Sequence, residues 1–272
     1  MSAAEAAVLG LVEGLTEYLP VSSTGHLILA QRAMGIRADG AANAYAICIQ
    51  AGAIVAVLGL YWKRVVQMAR GLIGRDEAGR RLARNVVVAF IPAAVFGVTL
   101  DEMIESYLFG LWPIVWAWFV GGLAILMVVW TGREKLPPQG KPLEGLALRG
   151  ALVIGLMQCV AMWPGVSRSL VTIVGGVLAG LGLPAAVEFS FLLGVLTLGA
   201  ATVYKAVQHG QVMLEAYGPL TLSIGFLTAM ASATLAVQWM VAYLSRNGLA
   251  IFGYYRVAIA LLVTAMLLAG WL

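Results

Sequence analysis

Glu13 and Glu17 lie four residues apart, a spacing that puts both carboxylates on one face of a helix. The chain then reads Tyr18-Leu19-Pro20-Val21-Ser22-Ser23-Thr24-Gly25-His26, so two acids, three hydroxyls and an imidazole can converge on a small volume. Paired carboxylates suit a hard divalent cation, Mg²⁺ or Ca²⁺; magnesium takes one or two of them together with phosphate oxygens. The same pair can instead position a water or accept a proton from a hydroxyl nucleophile. A second constellation, Trp163-Pro164-Gly165-Val166-Ser167-Arg168-Ser169, carries one arginine in a long apolar stretch. The planar fork of Arg168 matches phosphate oxygens, and the N–H groups of a helix starting there add donors, so an anion site is expected. The alternative role for Arg168 is as structural partner of Glu13 or Glu17, and the two roles can alternate.

The elements that must position these groups belong to a membrane protein. Of 272 residues, 61% are hydrophobic and 11% charged, with a mean hydropathy of +0.92. Runs without Asp, Glu, Lys, Arg or His cover 43–61, 85–100, 106–132, 189–204, 216–245 and 257–272. About 20 apolar residues cross a bilayer core, so six spans are expected, the shorter runs needing their flanks. No cleavable signal peptide is expected, since the first residues lack a basic region and Glu5, Glu13 and Glu17 interrupt the apolar stretch. Cys48 and Cys159 sit in hydrophobic segments as small core residues.

The cations cluster in three connections: Lys63, Arg64, Arg70, Arg75, Arg80, Arg81 and Arg84; Arg133, Lys135, Lys141 and Arg149; and Arg246. They fall on one side if the intervening segments span singly, and the positive-inside rule makes that side cytoplasmic. Anionic headgroups and topology, not nucleic acid, account for them. The loops with Asp101, Glu102 and Glu105 and with Lys205, His209 and Glu215 then face outward.

Two segments fail as ordinary spans, about 3–34 and about 146–183. Each has an apolar arm, a Pro/Gly/Ser-rich break and a second apolar arm, the pattern of helix, break, new helix. Overlaid, Gly10-Leu11 matches Gly155-Leu156 and Val21-Ser22 matches Val166-Ser167, which indicates an internal duplication. With three spans between them the copies enter from opposite faces, an inverted repeat whose site lies near the midplane. The expected fold is all-α: six transmembrane helices plus two re-entrant helical hairpins in one domain, with halves 1–145 and 146–272 joined at Pro137-Pro138-Gln139-Gly140.

The block Glu13 to His26 resembles the first signature of the bacterial undecaprenyl-diphosphatase (bacitracin-resistance) family, and Pro164 to Ser169 resembles the second. Ile49-Gln50-Ala51-Gly52, Glu188 to Leu193 and Tyr255-Arg256 extend the resemblance over nearly the whole chain. It implies hydrolysis of undecaprenyl diphosphate to undecaprenyl phosphate and inorganic phosphate, recycling the lipid carrier for cell-wall synthesis, with the site open to the periplasm of the inner membrane. By resemblance, Glu13, Glu17, Ser23, His26 and Arg168 are catalytic, and Glu13 and Glu17 bind a divalent cation or organise water. Arg168, Ser167, Ser169, Thr172, Ser22 and Thr24 are the expected phosphate contacts, and Ser23 with His26 the nucleophile or acid/base pair. Expected partners are a polyprenyl diphosphate lipid, the membrane and a second copy of the chain, with no nucleic acid.

Three positions depart from the family pattern: Ala46 replaces a usual Glu, Leu170 a Gly and Leu196 a Pro. Ala46 is expected to weaken metal binding and Leu170 to add bulk beside the phosphate. Arg256 is left between snorkelling and internal pairing, Tyr18 and Trp163 between packing and substrate contact, and His209 is expected in a solvated loop. The rival readings are a polyprenyl-phosphate flippase or transporter, favoured by the inverted-repeat architecture, and a paralogue that binds prenyl diphosphates without turnover.

Overall fold

The computed structural model describes residues 1–36, 40–130 and 140–272. Arg133, Lys135 and Pro137-Pro138-Gln139 of the expected connection lie outside the described residues, as do the side chains of Asp101, Glu102 and Glu105.

The described chain is helical, as its hydropathy pattern requires. The elements are α1 (Ala3–Thr16), α2 (Ser23–Ala33), α3 (Gly40–Leu60), α4 (Trp62–Leu72), α5 (Glu77–Leu108), α6 (Leu111–Trp130), a 3-10 turn (Leu143–Gly145), α7 (Leu148–Val160), α8 (Arg168–Leu178), α9 (Leu183–Asn247) and α10 (Ala250–Leu268). Ser2 starts α1 with a capping box to Glu5, and the Asp76 side chain caps α5. In α5, α6, α9 and α10 the apolar stretch is long enough to cross a membrane; α3 and α4 together add a fifth candidate, bent by 82°.

The long α9 is two arms, because Gly218 has φ 71° and ψ 161° just before Pro219. On the first arm, Phe191 packs on Tyr61 while Thr202 donates to the Ile47 carbonyl, so this arm runs antiparallel to α3. On the second, Tyr45 donates to the Thr221 carbonyl and Gly52 lies against Phe226, so that arm runs parallel to α3. The chain therefore reverses at Gly218, and α9 contributes two apolar arms. His209, Lys205 and Glu215, expected in a loop, lie instead within helix: the polar residues here are too few to stop it, and the turn waits for the Gly-Pro pair.

Close backbone approach holds the short helices in place. A Cβ on Gly10 would sit 2.4 Å from the Gly225 carbonyl oxygen, and one on Gly155 2.4 Å from that of Ala89, so α1 packs directly on the second arm of α9 and α7 on α5. At the basic side, Arg64 joins Glu188 and Glu144, each at 2.7 Å, tying α4, the 3-10 turn and the start of α9 together. Glu144's own backbone amide and then Arg64 hold its carboxyl below the usual carboxylate range.

Candidate active site

The two short helix pairs α1/α2 and α7/α8 meet at their breaks. Each break ends in a serine with a backbone that L-residues rarely adopt: Ser22 at φ 72°, ψ 101° and Ser167 at φ 77°, ψ 111°, the two non-glycine residues with positive φ among those described. Such conformations cost on the order of 1–3 kcal/mol and persist where surroundings over-determine them. Here they do. The Gly165 amide donates to Ser22 Oγ at 3.1 Å, Ser167 Oγ accepts from the Leu170 amide, and Ser169 Oγ donates to the Leu19 carbonyl at 2.9 Å.

Arg256 of α10 completes the clamp. It is fully buried and donates through Nη1 to the Pro20 and Val166 carbonyls, both at 3.2 Å, and through Nη2 to those of Ala117 and Gly165 at 2.9 and 2.8 Å. Carbonyls freed by a broken helix have no water to turn to inside a bilayer, and this guanidinium supplies the missing donors. Internal pairing thus prevails over snorkelling.

Arg168 opens α8 and faces α1. Its Nη2 donates to Glu17 Oε1 at 2.9 Å and its Nη1 to the Ser190 carbonyl at 2.9 Å, while its guanidinium lies 5.2 Å from the Tyr18 ring centroid. The side chains of this ion pair are 10% and 5% exposed, so it is nearly desolvated. The other oxygen of Glu17 accepts a hydrogen bond from Ser23 Oγ. One carboxylate therefore holds both the phosphate-seeking guanidinium and a hydroxyl. Glu17, Ser22, Ser23, Thr24, Ser167 and Arg168 line a cavity of about 480 Å³ together with Gln50, Gln158 and Thr197. Phe90, Ala93, Gly97 and Val98 of α5, with Tyr204 and Lys205, form another part of its wall.

Other expected site residues stand elsewhere. Glu13 is buried one turn before Glu17, outside the cavity lining, and both its carboxylate oxygens lack a hydrogen-bond partner. Those orphaned oxygens are what a bound cation would satisfy. Among the described residues no three His, Cys, Asp or Glu side chains converge, so an ion held by Glu13 and Glu17 would have to take its remaining ligands from water and phosphate. His26 is not brought to Ser23: its Nδ1 donates to the Ser22 carbonyl at 2.6 Å, which leaves Nε2 to accept from Tyr255 Oη at 2.8 Å. Ser169 and Thr172 are fully buried, and Thr172 Oγ1 shares a hydrogen bond with Ser190 Oγ at 2.6 Å, so both brace α8 outside the cavity. The expected bulk of Leu170 beside the phosphate is absent, because its side chain faces a separate apolar groove of about 1010 Å³ that includes α6 residues. Ala46 packs in a cluster with Ala6 and Leu9, and Leu196 packs on the main core. Tyr18 is buried under Phe191 and Arg168, whereas Trp163 lines the apolar groove.

Sequence reasoning missed Gln158 and the clamp of Arg256. Both had signals: an arginine inside an apolar span should have an engaged partner, and Gln158 is the position that overlays Glu13 when the two hairpins are aligned.

A profile of the family described as bacitracin resistance protein BacA matches residues 6–262. The chain is 45% identical over 261 residues to an undecaprenyl-diphosphatase of Sorangium cellulosum, covering 95% of this chain and 84% of that one. It is 40% identical over 266 residues to undecaprenyl-diphosphatase 2 of Rhodospirillum rubrum, covering 98% and 95%, and 41% identical over 269 residues to an undecaprenyl-diphosphatase of Variovorax paradoxus, covering 98% and 95%.

Proposed function

The chain belongs to the bacitracin resistance protein BacA family, and from that premise we propose that it is an undecaprenyl-diphosphatase, an integral membrane hydrolase that releases inorganic phosphate from undecaprenyl diphosphate. Its product, undecaprenyl phosphate, is the lipid carrier returned to cell-wall synthesis, and draining the diphosphate accounts for bacitracin resistance. The observation that carries the reading is Glu17 holding Arg168 and Ser23 at once on the wall of a cavity where the two breaks meet. A nearly dry ion pair is weak evidence for stability, since apolar replacements often serve as well. Placed at a cavity with a hydroxyl beside it, the pair makes sense as machinery.

The chemistry follows from the groups. Arg168 turns from Glu17 to the oxygens of the terminal phosphate while Nη1 stays on the Ser190 carbonyl. Ser23 Oγ gives its proton to Glu17 and bonds to the terminal phosphorus as the bond to the bridging oxygen breaks, and the lipid monophosphate departs. Water then cleaves the phosphoserine, freeing inorganic phosphate. A water held by Glu17 and attacking directly is the variant the same geometry allows. Because the transferred group carries its charge on equatorial oxygens, positioning and positive charge do most of the catalytic work. A divalent cation, Mg²⁺ or Ca²⁺, held by Glu13 and Glu17 would add charge neutralisation at the phosphates.

We read the six apolar segments as six crossings and the two short helix pairs as re-entrant hairpins. The cavity draws on α5 from Phe90 to Val98 and on the middle of the first α9 arm, Thr197 to Lys205, away from the basic connections. Under the positive-inside rule this supports a site facing the periplasm of the bacterial inner membrane. A homodimer remains part of the proposal, tested by mass measurement in detergent. The flippase reading needs an anion site without a hydroxyl held on a carboxylate, so the Ser23–Glu17 contact favours the hydrolase. The test is phosphate release by the purified protein in detergent, without a gradient and with or without chelator. Wild type releases phosphate and Arg168→Ala does not; equal rates in the two would remove the central element of the scheme, and chelator-insensitive turnover would remove the cation.

A further inference from the structure

Gln158 lies on the last turn of α7 and lines the cavity with Glu17, Ser23 and Arg168. It is 2% exposed, and its amide nitrogen has no hydrogen-bond partner. One end of the amide lies 3.3 Å from Thr197 Oγ1, whose single proton is shared between the Gln158 oxygen and the Leu193 carbonyl at 3.0 Å, and the other end is left unpaired. A buried amide donor left unmade costs about 1–3 kcal/mol, so an unfilled donor on the wall of a polar cavity calls for an acceptor that the cavity receives. The neighbours identify the acceptor's charge. Arg168 and the start of α8 favour an anion.

Overlay of the two hairpins sharpens the assignment. Gln158 occupies the position matched to Glu13, and both side chains are buried with unpartnered polar atoms. The matched positions thus carry a carboxylate behind the cavity wall in one half and an amide on the wall in the other. Resting on the diphosphatase reading above, we propose that Gln158 is a further substrate-binding residue whose Nε2–H donates to a nonbridging oxygen of the lipid diphosphate, with Thr197 orienting the amide.

The test compares wild type with Gln158→Met, which keeps the shape and removes the polar atoms, and Gln158→Glu, which keeps the shape and replaces the donor by an acceptor. Each full-length protein in detergent is assayed with farnesyl diphosphate for kcat/KM, with inorganic pyrophosphate as competitor, and by thermal unfolding. A hydrogen bond to a charged group predicts a fall in kcat/KM of roughly 10- to 100-fold for Gln158→Met, a matching rise in the pyrophosphate inhibition constant and a larger fall for Gln158→Glu. Unfolding of Gln158→Met should occur at the same temperature or higher, because an orphaned amide has been removed. The proposal is overturned if Gln158→Met stays within twofold of wild type, or if it loses activity with an unchanged pyrophosphate constant and a lower unfolding temperature, the mark of a packing role. Wild type that releases no phosphate overturns the diphosphatase reading instead; pyrophosphate protection against unfolding then still reports on Gln158 by itself.

Discussion

Gly194 permits the placement of Arg168, and replacing it by alanine displaces a guanidinium without deleting any polar group. A Cβ at Gly194 would lie 2.3 Å from Arg168 Nη1, 2.6 Å from Cζ and 2.7 Å from Nη2. Ordinary contact begins near 3.4 Å, so the guanidinium must recede by about 1 Å. That motion takes Nη2 off Glu17 or Nη1 off the Ser190 carbonyl, each now at 2.9 Å. A misplacement of about 1 Å at a reacting centre costs on the order of 100-fold in rate, or about 2.7 kcal/mol of transition-state stabilisation. Folding is not the confounder, because alanine in a helix interior is favoured over glycine by roughly 0.5–1 kcal/mol. Gly199→Ala on the same helix is the control, since a Cβ there meets nothing within 4 Å. The assay is steady-state phosphate release in detergent alongside thermal unfolding. Gly194→Ala should fall about 100-fold while Gly199→Ala keeps wild-type kcat/KM. Wild-type kcat/KM in Gly194→Ala, or an equal loss in both variants, would refute the reasoning.

Arg256→Met removes donors from three carbonyls at the two breaks and from that of Ala117 in α6, each about 1–3 kcal/mol if left unsatisfied. Allowing for relaxation, a loss of more than about 3 kcal/mol is expected, read as a lower unfolding temperature, and Arg256→Lys should not restore it because one ammonium lacks the planar fork. At the basic side, Glu144 has a lowered folded-state pKa. Its contribution is therefore present above the ordinary carboxylate value, near pH 4, and lost as pH falls through the folded value. The Glu144 side chain is 44% exposed, so the effect should stay under about 1 kcal/mol. Glu144→Gln should flatten the acid limb of unfolding temperature against pH; an unchanged limb would show that the contact contributes nothing.

What the sequence determined by itself was local. Spacing along one helix put Glu13 and Glu17 a turn apart, Pro, Gly and Ser marked both breaks, and hydropathy set out the apolar segments, because these depend on neighbours within a few residues. The two signature blocks also pointed to the family. Tertiary structure decided which of those groups meet. Ser23 came to Glu17 rather than to His26, whose second nitrogen was claimed by Tyr255 from the far end of the chain. Thr172 and Ser169, alike in sequence to cavity-facing hydroxyls, turned into the brace behind α8 because a helix shows its neighbours only one face at a time. Arg256 and Gln158 acquired meaning from contacts between segments far apart in the chain. Such contacts are fixed by how closely backbones approach at Gly10 and Gly155 and how closely the Arg168 guanidinium approaches Gly194, a property of paired surfaces that no single stretch of sequence contains.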